Sequence, residues 1–73
     1  MSETRIRSDL HGMVWKIEVA VGDRVAEGDT LFLIESMKME IPLSAPCAGV
    51  VTAILVKEEQ QVAEGEILAM ITG

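Results

Sequence analysis

Two halves of this 73-residue chain repeat each other with an offset of 37 residues. Residues 12–36 match residues 49–73 at ten of 25 positions, and the block Val-Ala-Glu-Gly recurs intact. Most matched positions hold apolar residues or glycines, which form cores and turns, so the repeat is a repeat of fold. Two copies are too few for a solenoid, which needs at least about three. The repeat therefore predicts one domain, residues 1–73, with internal pseudo-twofold symmetry, in which each half completes the core of the other.

Both copies carry the patterns of β-strands. Along residues 13–21 the apolar residues largely alternate with polar ones, although Val14 falls out of phase. Four residues would share one face of that strand: Trp15, Ile17, Val19 and Val21. Residues 30–34 and 67–71 are nearly continuous apolar runs, and we expect them to be the most buried strands. No stretch has the apolar spacing of a helix, so the pattern predicts an all-β domain.

Glycines mark the predicted turns. Gly28 and Gly65 occupy the same position in the two copies, which indicates a backbone angle that other residues resist. At another turn, Glu59 stands where the first copy has Gly22. If that turn needs a positive φ, Glu59 costs about 1–2 kcal/mol there; otherwise the two turns differ in type.

The size and charge of the chain exclude several function classes. A domain of this size buries only about 60% of the surface that its unfolded chain exposes, which leaves little room for the pocket of an independent enzyme. Two aromatic residues and a net charge of −6 argue against binding to nucleic acid or to an anionic membrane.

The remaining chemistry-bearing residues are too few for a catalytic or metal site. Cys47 is the sole cysteine and His11 the sole histidine, so neither a disulfide within the chain nor a usual structural zinc site can form. No signal peptide or membrane-spanning run is present in the sequence. We therefore predict no catalytic residues, no metal and a reducing, cytoplasmic setting, and we expect Trp15 to pack on a sheet edge.

Lys38 lies in the one segment that the repeat does not duplicate. Its surroundings, residues 35–40, read Glu-Ser-Met-Lys-Met-Glu, and its counterpart upstream is Met1. Pseudo-twofold symmetry therefore predicts that Lys38 lies in a turn at the tip opposite the chain ends and projects into solvent. Exposed methionine is adaptable and common at surfaces that other proteins recognise. The competing interpretation is an ordinary solvated lysine beside two methionines that fill the core.

Four segments together resemble the biotinyl/lipoyl-attachment family, over about residues 6–71. They are Gly12, the run Val-Gly-Asp-Arg-Val-Ala-Glu-Gly-Asp at 21–29, the lysine motif at 35–40, and Ala-Pro-Cys-Ala-Gly at 45–49. Methionine on both sides of the lysine, Met37 and Met39, is typical of the biotinyl branch, whereas lipoyl domains usually carry Asp before the lysine and Ala or Ser after it. The resemblance implies a flattened β-barrel or sandwich of two interlocked four-stranded antiparallel sheets, a barrel-sandwich hybrid.

The resemblance also implies a role and a set of partners. A biotin protein ligase would recognise the hairpin and join biotin to the Lys38 amine through a biotinyl-adenylate. The residues that the ligase would read are Glu35, Ser36, Met37, Met39 and Glu40. The carrier would then shuttle a carboxyl group between a biotin carboxylase and a carboxyltransferase, and it would catalyse neither step. Ser36 replaces the commoner alanine of the motif, a small-for-small change from which we expect little effect.

Two alternatives remain open from the sequence. Lys38 could be lipoylated, as in the carrier domains of 2-oxo acid dehydrogenase complexes. Alternatively, the chain could be an unmodified β-barrel interaction module whose lysine is never acylated.

Overall fold

A computed structural model describes residues 2–73, which form eight β-strands. In chain order the strands are β1 Glu3–Arg7, β2 Gly12–Ile17, β3 Arg24–Val25, β4 Thr30–Ser36, β5 Met39–Ser44, β6 Gly49–Ile54, β7 Gln61–Val62 and β8 Ile67–Thr72. Across these residues there is no helix, and so none that is long and apolar enough to cross a membrane.

The strands form two four-stranded antiparallel sheets. Sheet A has the order β1-β8-β6-β3, and sheet B has the order β5-β4-β2-β7. Each sheet takes its two central strands from one copy of the repeat and its two-residue edge strand from the other copy, so the halves interlock. The predicted all-β class and the two interlocked sheets are confirmed. The body measures 36 × 17 × 17 Å.

The apolar runs of the sequence form the most buried strands, as predicted. The largest fully buried side chains are Leu31, Phe32 and Ile34 on β4, Leu68 and Ile71 on β8, Val14, Val51 and Val62. Phe32 is the sole aromatic residue among them, so the core consists mainly of valine, isoleucine and leucine side chains.

A β-bulge interrupts the alternation predicted for residues 13–21. The register between β2 and β4 shifts immediately after Val14, which leaves Trp15 without a partner residue on β4. Val14 is fully buried as a result, while Trp15 is 45% exposed and Val21 lies exposed in the following turn. The prediction that Trp15 and Val21 share an apolar face with Ile17 and Val19 is therefore wrong, because one extra residue changes the phase of the strand. Ile17 and Val19 themselves do pack against the core.

The symmetry of the two copies extends to their turns. The Gly22 amide donates to the Val51 carbonyl at 2.7 Å, and the Glu59 amide donates to the Val14 carbonyl at 2.6 Å, which is the same bond moved by the repeat offset. Gly22 has a φ of 99° and Glu59 a φ of 70°. The two turns therefore have the same form, and Glu59 carries the left-handed backbone cost of about 1–2 kcal/mol that glycine avoids.

Candidate functional site

Lys38 lies in a two-residue turn that joins β4 to β5. Ser36 and Met39 are the last paired residues of the hairpin, and Met37 and Lys38 form its turn, with φ values of 52° and 66°. Two-residue hairpins favour positive φ at both central positions, because that backbone twist matches the twist of the strands. Asn and Gly usually fill these positions, whereas Met and Lys each pay about 1–2 kcal/mol. Such strain tends to collect where other molecules act.

The tip of the hairpin is exposed. Met37 is 91% exposed, Met39 is 62% exposed, and Lys38 is exposed between them. Among residues 2–73, Lys38 takes part in no side-chain hydrogen bond and no ion pair. The interpretation of the two methionines as core residues is therefore wrong, and the lysine amine is open to a second molecule.

The residues around the tip divide between the two faces of sheet B. Because side chains alternate along a strand and Ile34 faces the core, Ser36 and Met39 lie on the inner face of the hairpin. Glu35 and Glu40 lie directly opposite each other on the outer face. Like charges in that arrangement repel, so the pair favours an approaching basic surface. Within the described chain the single ion pair, Lys16 with Glu18, involves neither glutamate.

The hairpin is anchored, close to its turn, to the start of β2 and the residue before it. The Ser36 hydroxyl donates to the His11 carbonyl at 3.1 Å. Gly12 approaches β4 so closely that a Cβ atom there would come within 2.6 Å of the Glu35 carbonyl oxygen and 2.9 Å of Ile34 Cγ2. This glycine is required by close approach, and Ser36 makes a bond that alanine could not make. Neither the role of His11 nor the bond from Ser36 could be predicted from the sequence, in which the one available signal is that His11 precedes a motif glycine.

The strand pairing places Lys38 and the chain ends at opposite ends of the molecule. From the turn, β5 runs away to its last residue, Ser44, and residues 45–48 then cross to the start of β6. That start lies beside the end of β8, where Val50 pairs with Thr72. Ser2 and Gly73 lie there too, and each donates its amide to the other's carbonyl at 2.9 Å. The predicted position of Lys38 at the tip opposite the chain ends is confirmed.

The other candidate residues do not form a second site. No group of three or more His, Cys, Asp or Glu side chains within the described part of the chain could hold a metal ion. Cys47 is half-buried, with its Sγ atom 3.5 Å from Thr4 Oγ1. Two surface depressions, of about 420 and 250 Å³, are present, and neither is lined by any of residues 35–40. The hairpin therefore offers an accessible amine at a fixed tip and not a pocket.

The chain matches known sequences along almost its whole length. The sequence model of a family described as "Biotin-requiring enzyme" matches residues 5–71. A "Biotinylated protein TB7.3 homolog" from Mycobacterium leprae is 37% identical over 67 residues, which are 92% of this chain and 94% of that protein. The "Biotin carboxyl carrier protein of acetyl-CoA carboxylase" from Streptococcus pyogenes is 49% identical over 53 residues, which are 73% of this chain and 32% of the relative.

The fold is also found in solved structures. The crystal structure of the urea carboxylase of Kluyveromyces lactis contains a segment that superposes on 99% of this chain with a TM-score of 0.92 and 36% identity. That segment is 6% of the carboxylase chain. The chain thus corresponds to nearly all of one small relative, and to a small part of the carboxylase and of the carrier protein.

Proposed function

The chain belongs to the biotin/lipoyl-attachment family, in its biotinyl branch, and on this premise we propose that Lys38 is the residue to which biotin is covalently attached. The observation that carries the proposal is the hairpin tip: an exposed amine held in a strained two-residue turn between two exposed methionines. The residues fit the group, because the attached acyl chain would extend into solvent without displacing any side chain that contacts Lys38.

The attachment step forms an amide at Lys38. Nζ attacks the acyl carbon of an adenylate mixed anhydride that the ligase supplies, the carbon–oxygen bond to the phosphate breaks, AMP leaves, and the amine loses a proton. No side chain among residues 2–73 hydrogen-bonds to Nζ, so the carrier itself holds no base in position to take that proton. The carrier contributes a fixed and accessible position for the amine, which lowers the entropy cost of bringing it to the anhydride.

The domain is a biotin carrier and is not itself a catalyst. When attached, biotin supplies the carboxyl-carrying chemistry that amino-acid side chains lack. The protein itself contributes by holding the cofactor covalently, which raises the local concentration of the cofactor at each enzyme that binds the domain. We assign it a biotin carboxylase and a carboxyltransferase as partners, since relatives are named as carboxylases and as a carboxyl carrier protein. The proposal adds a biotin protein ligase, which attachment at Lys38 requires, and a reducing cytoplasmic setting.

Met37 and Met39 favour biotin over lipoate. Lipoyl domains of this family usually carry an acidic residue before the lysine, whereas here the position is an exposed methionine. An apolar side chain at the tip suits a ligase whose contact surface is apolar, and a carboxylate there would have to be desolvated on contact. The outer glutamates, Glu35 and Glu40, then supply the charge that orients the approach.

Intact mass tests the proposal directly. The chain is expressed with biotin and lipoate available and an active biotin ligase, beside the variants Lys38→Arg and Lys57→Arg. Lys57 is a matched control, because it is another exposed lysine next to a turn. We expect one biotinyl increment in the unchanged chain and in Lys57→Arg, and none in Lys38→Arg. A lipoyl increment, or a biotinyl increment that persists in Lys38→Arg, would refute the assignment; no increment at all would favour an unmodified interaction module.

A further inference from the structure

The repeat offers an internal reference for what the fold itself requires. The two halves share their core and turns, so a difference between equivalent surface positions is not needed to build the fold. On the outer face of sheet B we define an outer B face, made of Met13, Trp15, Lys16, Leu33, Glu35, Glu40 and Pro42. The equivalent residues of sheet A, in the same order, are Val50, Thr52, Ala53, Met70, Thr72, Glu3 and Arg5. The outer face of sheet B thus carries a larger apolar side chain, Trp15, than any residue of its counterpart.

Trp15 is the largest difference between the two faces. It occupies a β-bulge on β2, and the second copy has the same bulge on β6, where the register shifts after Val51 and Thr52 takes the equivalent position. A threonine therefore satisfies the backbone of this bulge. Trp15 is the sole tryptophan of the chain and is 45% exposed. Exposed tryptophan is the residue type most enriched among the side chains that dominate binding at protein interfaces.

The outer B face is continuous with the Lys38 hairpin. The Glu35–Glu40 pair lies one residue behind the last paired residues of the hairpin, and the Leu33–Pro42 pair lies two residues further back. At about 3.4 Å per residue, this second pair is about 10 Å from the last paired residues and about 14 Å from the turn. Lys16 pairs with Leu33, and Trp15 precedes Lys16 at the bulge. A protein that binds the hairpin tip from the outer side of sheet B would therefore also contact the outer B face.

We propose that the outer B face, centred on Trp15, is the docking surface for the ligase that acylates Lys38. The inference rests on the proposed attachment at Lys38. A lysine side chain has only four methylene groups, so the ligase must bring its own active site against the hairpin. Enzymes that act after acylation meet a much longer arm, so they need not approach the sheet as closely. The complementary ligase surface has an apolar recess for the indole and basic side chains opposite Glu35 and Glu40.

Steady-state acylation tests this docking surface. The change Trp15→Thr installs the residue that the other half of the fold carries at the same bulge. We expect KM for the carrier to rise about tenfold with kcat unchanged, because the interaction is made on binding and not in the chemical step. Trp15→Phe should recover most of the affinity, and the control Thr52→Ala should behave as the unchanged chain. Thermal unfolding of each variant shows whether the fold is retained.

A binding measurement keeps the proposal open to refutation even if Trp15→Thr unfolds. The chain is labelled with 5-fluorotryptophan, which gives one fluorine resonance, and carries Lys38→Arg so that no turnover occurs. We expect the resonance to shift on addition of ligase. An unmoved resonance at saturating ligase, or an unchanged KM in folded Trp15→Thr, would overturn the docking surface while acylation of the unchanged chain still supports the carrier function. A shift that depends on carrier concentration alone would assign the face to a second copy instead.

Discussion

Three non-glycine residues of the described chain have a positive φ. Two of them lie at the candidate site, and the third lies in a different turn. Met37 and Lys38 form the tip of the hairpin, where the proposed ligase acts. Glu59 stands at a turn where the other half of the fold has Gly22. At the tip, Met37 and Lys38 occupy a two-residue turn that asparagine and glycine would fill with less cost. At the other turn, the Glu59 side chain makes no hydrogen bond or ion pair among residues 2–73.

Replacing Glu59 should therefore stabilise the domain. Glu59→Gly removes a left-handed cost of about 1–2 kcal/mol but increases the entropy of the unfolded chain, so we expect a net gain of about 0.5–1 kcal/mol in the free energy of unfolding. Urea denaturation measures it. Glu64→Gly is the control, because Glu64 is an exposed turn residue without a positive φ, and there the same change should lower stability. A loss of stability in Glu59→Gly would show that the turn does not bear this strain.

Ser36 shows the limit of reasoning from residue types. As a small residue in place of another small residue, it carries no signal in the sequence. Its hydroxyl nevertheless donates to the carbonyl of His11, on a segment that is distant in sequence and joined to the hairpin only by the fold. Contacts of this kind depend on the relative placement of two elements, which neither periodicity nor motif spacing encodes.

At the scale of elements, the strands differ in how well their sequences predict them. The runs that form β4 and β8 are apolar throughout, so burial follows without knowledge of phase. β2 has one buried face, and its pattern is broken by the bulge at Trp15, which inserts a residue without any glycine or proline to mark it. The same insertion in β6 shows that the bulge belongs to the fold. Alignment of the two copies pairs Val14 with Val51, but alternation alone does not reveal why both are buried.

The close approach of Gly12, at the start of β2, to β4 leads to a prediction for which the other half of the fold supplies the control. Gly12→Ala would place a Cβ atom 2.6 Å from the Glu35 carbonyl oxygen, and Gly49→Ala would place one 2.7 Å from the Thr72 carbonyl oxygen in the other half. Both changes force the neighbouring strand to move, and we expect each to cost about 1–3 kcal/mol in the free energy of unfolding. Denaturant titration measures this cost.

Only one of the two glycine changes should affect acylation. Gly12 packs against the strand that enters the Lys38 turn, whereas Gly49 packs against the strand that ends at the chain terminus. With ligase supplied to the folded proteins, Gly12→Ala should lower kcat/KM and Gly49→Ala should leave it unchanged. Equal losses in the two variants would mean that general stability, and not the anchoring of the hairpin, controls acylation.

At the scale of the whole molecule, we expect acylation of Lys38 to change the net charge of the domain and little else. The formal net charge is −6, and conversion of the Lys38 amine into an amide removes one positive charge, which gives −7. Because Lys38 makes no side-chain hydrogen bond or ion pair within residues 2–73, its acylation should leave the unfolding temperature unchanged. Anion-exchange chromatography should resolve the two forms, with the acylated form eluting later. A shifted unfolding temperature would indicate that the acyl chain folds back onto the body.

The paired chain ends have a mechanical consequence. Ser2 and Gly73 are bonded side by side at the end of the molecule remote from Lys38, and the body is 36 Å long. Any polypeptide joined at either end is therefore attached to the end of the body that lies opposite the Lys38 amine. A small rotation about such a joint moves that amine through an arc whose radius is close to the full length of the body. The elongated body thus converts a small change of angle at the chain ends into a displacement of the Lys38 amine at the other end.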